Sequence, residues 1–171
     1  MKDITPQEID KLLTIIKPSP LIRIGHFSDR GDILPQKLSS FSQDNEYEYT
    51  LNCTTKEYFE KQKPKYEEIE QCSVKLFDLD RKSYMLQGKF YDYLFVSCDI
   101  EKSNRDLFLK KSHRVIKNAG LILLFVQNKQ ASQTNEWIRL LEENYFVATS
   151  TIKLDEIWSV IISKKMHGWG G

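Results

Sequence analysis

Apolar positions along the chain switch repeatedly between helical spacing and short continuous or alternating runs. Ile9, Leu12, Leu13 and Ile16 recur at helical spacing behind Thr5-Pro6-Gln7-Glu8. There Thr5 can cap, Pro6 suits the first helical position and Glu8 completes a capping box. The pattern predicts a helix over 5–17, stopped by Pro18 and Pro20. Residues 21–25 read as the first strand, with a loop through Arg30 and a helix from a cap at Asp32 to about Phe41. Alternation in Tyr-Glu-Tyr-Thr-Leu-Asn marks a strand over 47–52. A charged helix covers roughly 55–70, kinked or split at Pro64.

The second half continues the alternation. A short strand over 74–77 is followed by a loop or short helix over 80–88, then by a strongly apolar strand over 91–97. Ser103-Asn104-Arg105-Asp106 opens a helix that runs to Lys117 and stops near Gly120, a suitable left-handed terminator. A buried strand over 121–126 and a helix over 133–143 come next. Strands over 146–153 and 156–163 close the pattern, with Asp155 in a tight antiparallel connection. Alternating strands and helices imply an α/β fold: a mostly parallel sheet between two helical layers, a three-layer α/β/α sandwich. The expectation is one domain over 1–166 and a mobile tail over 167–171.

Composition narrows the classes of function. The chain has 171 residues and a net charge of +1, so no long-range field draws nucleic acid or anionic membrane. No apolar run reaches the roughly 18 residues of a membrane span, and the start does not resemble a signal peptide. Three cysteines and three isolated histidines, without a Cys-x-x-Cys pair, argue against a disulfide framework or a metal site. Reduced thiols and a cytoplasmic location are expected. The basic run Lys110, Lys111, His113, Arg114 and Lys117 reads as the solvated face of a helix, its cations suiting the dipole, rather than a phosphate stripe. Cys98 has no sequence-local base that would make it a nucleophile.

This order of elements resembles the class I S-adenosylmethionine-dependent methyltransferases, from Leu21 to Lys165. Phe90-Tyr91-Asp92-Tyr93-Leu94-Phe95-Val96 is similar to the family's apolar fourth strand. His113 to Gly120 looks like the helix end before the fifth strand, and Ile157 to Lys164 like the last strand. The resemblance implies a seven-stranded sheet ending in a hairpin, S-adenosylmethionine as cofactor and no metal.

The family's Gly-x-Gly-x-Gly turn, with an acidic residue two places before it, then matches Arg23, Gly25, Phe27 and Asp29, with His26 in the same loop. Glycine there lets backbone approach the methionine and ribose portions of the ligand. A phenyl ring at Phe27 and a charge at Asp29 oppose that approach, so the motif reads as degenerate. By the same resemblance Asn52 or Cys53 falls at the ribose hydroxyls, and Asp78, Leu79 and Asp80 at the adenine. Ser97 falls beside the cofactor, and Asp99 near the reacting centre.

Two readings follow. One is an S-adenosylmethionine-dependent methyltransferase-like protein with an unidentified acceptor, either an active methyltransferase or a catalytically degenerate one with weak or lost cofactor binding. The alternative is a non-catalytic binding or assembly module on the same fold. The partner is then an unidentified small molecule or protein, with the helix over 55–70 and the tail around Trp169 as contact surfaces.

Overall fold

The computed structural model describes residues 3–84 and 88–167. Seven strands, β1 (Arg23–Ser28), β2 (Glu48–Cys53), β3 (Cys72–Leu76), β4 (Tyr91–Val96), β5 (Ile116–Gln127), β6 (Phe146–Lys153) and β7 (Trp158–Lys165), form one sheet in the order β3-β2-β1-β4-β5-β7-β6. All neighbours are parallel except β7, which runs antiparallel between β5 and β6. The helices are α1 (Pro6–Leu13), α2 (Ile33–Asn45), α3 (Lys56–Tyr66), α4 (Arg105–Val115) and α5 (Ala131–Glu143). One face of the sheet packs on α1–α3 through Ile9, Leu12, Leu38 and Tyr58; the other packs on α4 and α5 through Phe108, Leu109, Trp137 and Leu141. This is the expected three-layer sandwich with a C-terminal antiparallel hairpin.

Several boundaries differ from the sequence reading. The first helix ends at Leu13, and the remaining turn tightens into i→i−3 bonds from Ile15 to Leu12 and from Ile16 to Leu13. The second helix continues past Phe41 to Asn45, where Glu46 closes it in the left-handed region. Asp32 stands at its N-cap position but makes no capping bond; its carboxylate binds Lys61, Gln62 and Lys65 of α3 instead. Pro64 is carried inside the last turn of α3 without splitting it, and the helix stops at Tyr66, short of residue 70. The helix expected to reach Lys117 ends at Val115, and the next residue already belongs to β5.

Gly120 therefore lies within a strand and terminates no helix. A side chain there would come within 2.6 Å of Ile116 Cγ2 and 2.9 Å of the Asp92 carbonyl, so close packing requires the glycine. The hairpin is built as expected: Asp155 Oδ1 accepts from the backbone of both Ile157 and Trp158 at 2.7 Å. The segment expected over 80–88 includes 85–87, which lie outside the described residues, as does the tail from 168 onward with Trp169. Among the described residues no helix is long and apolar enough to cross a membrane.

Candidate functional site

The chain crosses the sheet in opposite directions from β1 and from β4, so the carboxyl ends of these two neighbouring strands flank a switch point. Ligands of open α/β sheets settle in the crevice such a point creates. A cavity of about 340 Å³ opens there. It is bounded by Asp29 after β1, Thr54 and Thr55 after β2, Asp78, Leu79 and Asp80 after β3, and Asp99 and Ile100 after β4. Tyr84 and, from α4, Leu107, Phe108 and Lys111 supply most of the remaining wall. The site thus has aromatic and aliphatic walls below a rim of carboxylates.

Of the residues singled out in the sequence, the cavity brings together Asp29, Asp78, Leu79, Asp80 and Asp99. Asp78 Oδ1 accepts from the Asp80 backbone N–H at 2.9 Å, which fixes the turn carrying both. The others lie elsewhere because β1 is longer and starts later than its pattern suggests. Arg23, matched to an acidic position, begins the strand and pairs with Glu48 at 2.9 Å, about 20 Å of extended chain before the loop.

Gly25, His26 and Phe27 are strand residues, not loop residues. Gly25 makes room for Tyr91, whose ring would lie 2.8 Å from an added Cβ. Phe27 is 1 % exposed and packs behind the cavity wall, in a cluster with Phe77, Tyr84 and Phe108. Asn52 and Cys53 are buried inside β2, so Thr54 and Thr55 take the position at the strand end. The turn after β1 begins at Asp29, and Gly31 has a left-handed φ of 78°.

His26 is fully buried on the α1–α3 face. Its Nδ1 lies 2.9 Å from the Tyr49 hydroxyl and its Nε2 lies 2.7 Å from the Ser97 hydroxyl. Ser97 donates to Ser28 at 2.9 Å, and Ser28 donates to the Arg30 carbonyl at 2.9 Å. Burial without a carboxylate partner pushes the imidazole down to about 3. Ser97 and His26 therefore support the loop from beneath and do not line the cavity.

Arg30 links the loops after β1 and β4. Its guanidinium takes Asp29 through two nitrogens, with Nη2 to Oδ2 at 2.9 Å, and also pairs with Asp99. The bonds to Asp29, ahead of those to Asp99, push its affinity for the proton up. The Asp99 backbone N–H completes the link by donating to Asp29 Oδ2 at 3.2 Å. Asp29 and Asp99 face the large cavity, whereas Arg30 and Ser97 face a second one of about 30 Å³, bounded also by Ile4, Phe125 and Trp158. The ion-paired trio thus contributes to the lining of both cavities.

Lys111 departs from the expected solvated face. It is 7 % exposed, with its stem laid along α4 one turn beyond Phe108 and its ammonium 3.3 Å from the Leu79 carbonyl. The charge run gave no signal for this. Cys98 is buried, and burial pushes its thiol up, the opposite of what an activated nucleophile needs. Among the described residues no group of His, Cys, Asp and Glu could hold a metal ion.

Comparison with solved structures places this geometry in a known setting. The chain is similar to a SAM-dependent O-methyltransferase from Thermotoga maritima (TM-score 0.76, 13 % identity, all of this chain and 69 % of that one). It is similar to a TehB-like SAM-dependent methyltransferase from Corynebacterium glutamicum (TM-score 0.68, 10 % identity, 94 % and 86 %). It is also similar to the CurJ carbon methyltransferase (TM-score 0.70, 13 % identity), of whose length the chain spans about half, 52 % against 93 % of its own. No family model matches the sequence, and no curated protein matches it. The fold is that of the class I S-adenosylmethionine-dependent methyltransferase-like superfamily.

Proposed function

We propose that the chain is a catalytically degenerate member of this superfamily that binds the nucleoside portion of an adenosyl ligand and has lost methyl transfer. The observation that carries this is the Arg30 bridge between Asp29 and Asp99. In the superfamily's fold the ligand's methionine arm runs along the turn after β1, and Arg30 fills that route between the ends of β1 and β4. Beyond it the space of about 30 Å³ accommodates about two waters, far less than a methyl acceptor. Asp99, expected near the reacting centre, is tied to the Arg30 guanidinium instead of being free to contact an acceptor.

The nucleoside side supports binding. About 340 Å³ lies at the low end of small-ligand pockets. Its aromatic wall suits a base, and Asp80 suits an exocyclic amine, consistent with the role the family resemblance assigns it. The steric objection raised by Phe27 does not apply, since that ring is in the core. The Asp29 charge is matched by Arg30.

Calorimetric titration with adenosine tests the reading. Sub-millimolar binding, weakened at least about tenfold by Asp80→Ala, is expected. No heat at millimolar adenosine overturns it in favour of an assembly module without a nucleoside ligand.

A further inference from the structure

We infer that the Lys111 ammonium is a base-reading group, donating a hydrogen bond to a ring nitrogen of a purine held in the large cavity. The inference rests on the nucleoside reading above and adds the residue that would choose among bases.

An ammonium has three N–H donors. Among the described residues Lys111 spends one, on the Leu79 carbonyl at 3.3 Å. That carbonyl also accepts from the Tyr84 hydroxyl at 2.8 Å. The Tyr84 ring lies 5.1 Å from the ammonium, an attraction that satisfies charge but no directional donor. A cation this deeply enclosed costs free energy unless its donors are met. Lys111 is on the cavity wall, so a ligand can meet them.

The surroundings define what that ligand offers. The rim carries Asp78, Asp80 and Glu101, which repel a phosphate or carboxylate. A neutral acceptor escapes that repulsion. The walls beside the ammonium are the rings of Tyr84 and Phe108, with centroids 5.9 Å apart, and the Leu107 side chain. Flat apolar walls, one strong donor and a carboxylate at Asp80 together match an aminopurine: an imine nitrogen toward Lys111 and an amino group toward Asp80. A base lacking an acceptor toward Lys111 would leave the buried donors unmet.

The test compares adenosine with 1-deaza-, 3-deaza- and 7-deazaadenosine, each of which replaces one ring nitrogen by C–H. Affinities are measured by calorimetry for the unaltered protein, Lys111→Met and Lys111→Arg, with thermal unfolding of each as a folding control. For the unaltered protein one analogue should bind about tenfold more weakly than adenosine, with the other two close to it. Lys111→Met should erase that preference by weakening adenosine and the two analogues that keep the contacted nitrogen while leaving the third nearly unchanged, and Lys111→Arg should retain it. Equal binding of all four by the unaltered protein overturns the inference whatever the variants do. So does a Lys111→Met protein that keeps the original ranking. If the unaltered protein binds none of the four, the nucleoside reading fails and the inference goes with it. If adenosine binds but the ranking is insensitive to Lys111, only the inference fails.

Discussion

His26 donates its Nε2 proton to the Ser97 hydroxyl across 2.7 Å, and residues far along the chain of contacts dictate that direction. Ser28 must donate to the Arg30 carbonyl, which can only accept. Ser28 therefore accepts from Ser97, and Ser97, its one proton spent, accepts from His26. The other ring nitrogen, Nδ1, then accepts from Tyr49. A neutral imidazole with its proton on Nε2 thus links the core of the sheet to the backbone of the loop that holds Arg30.

The neutrality of His26 has a thermodynamic signature. Its folded-state value of about 3 lies below the ordinary unfolded value near 6.5. Between these limits the unfolded chain binds more protons, so stability falls as pH falls from about 6.5 toward 3, by up to ~1.4 kcal/mol per pH unit. Urea unfolding between pH 7 and 4 should show this slope, reduced by roughly 1 kcal/mol per unit in His26→Gln. An unchanged slope in the variant would mean that other groups carry the acid sensitivity.

Phe27 belongs to the packing of the sheet against α4, not to the ligand. Its ring lies 4.8 Å from that of Phe77 and 5.9 Å from that of Phe108. Phe27→Ala should cost about 3–5 kcal/mol, a fall in Tm on the order of 10 °C by calorimetry. A stable variant with improved adenosine binding would return Phe27 to the pocket.

Gly25 is required by Tyr91. An added methyl would press on three ring atoms at 2.8–2.9 Å, so Gly25→Ala should destabilise by about 1–3 kcal/mol in urea unfolding. Adenosine affinity of the folded variant should be unchanged. A stable Gly25→Ala protein with impaired binding would instead indicate that this glycine touches ligand.

How the sequence anticipated the molecule follows from these residues. Apolar runs such as 91–96 and 121–126 identify their strands because burial demands them. Glycine was the misleading signal. Gly25 and Gly120 suggest a turn and a helix stop, yet both sit in strands where a ring or a carbonyl comes too close for a Cβ. That requirement is set by residues distant in sequence, Tyr91 and Asp92, and leaves no local trace. Asp78, Leu79, Asp80 and Asp99 were legible because they follow strands directly. The Arg30 bridge and the buried Lys111 were not, since a cation's partners are fixed only when loops from different strands converge.

The bridge formed by Arg30 is tested most directly by the ratio of affinities for S-adenosylhomocysteine and adenosine, measured by calorimetry on the unaltered protein and on Arg30→Ala. With the arm's route closed, the two ligands should bind the unaltered protein within about threefold of each other. Opening it in Arg30→Ala should let S-adenosylhomocysteine gain about tenfold over adenosine. An unaltered protein that already prefers S-adenosylhomocysteine by tenfold or more would contradict the account and point to an intact cofactor site.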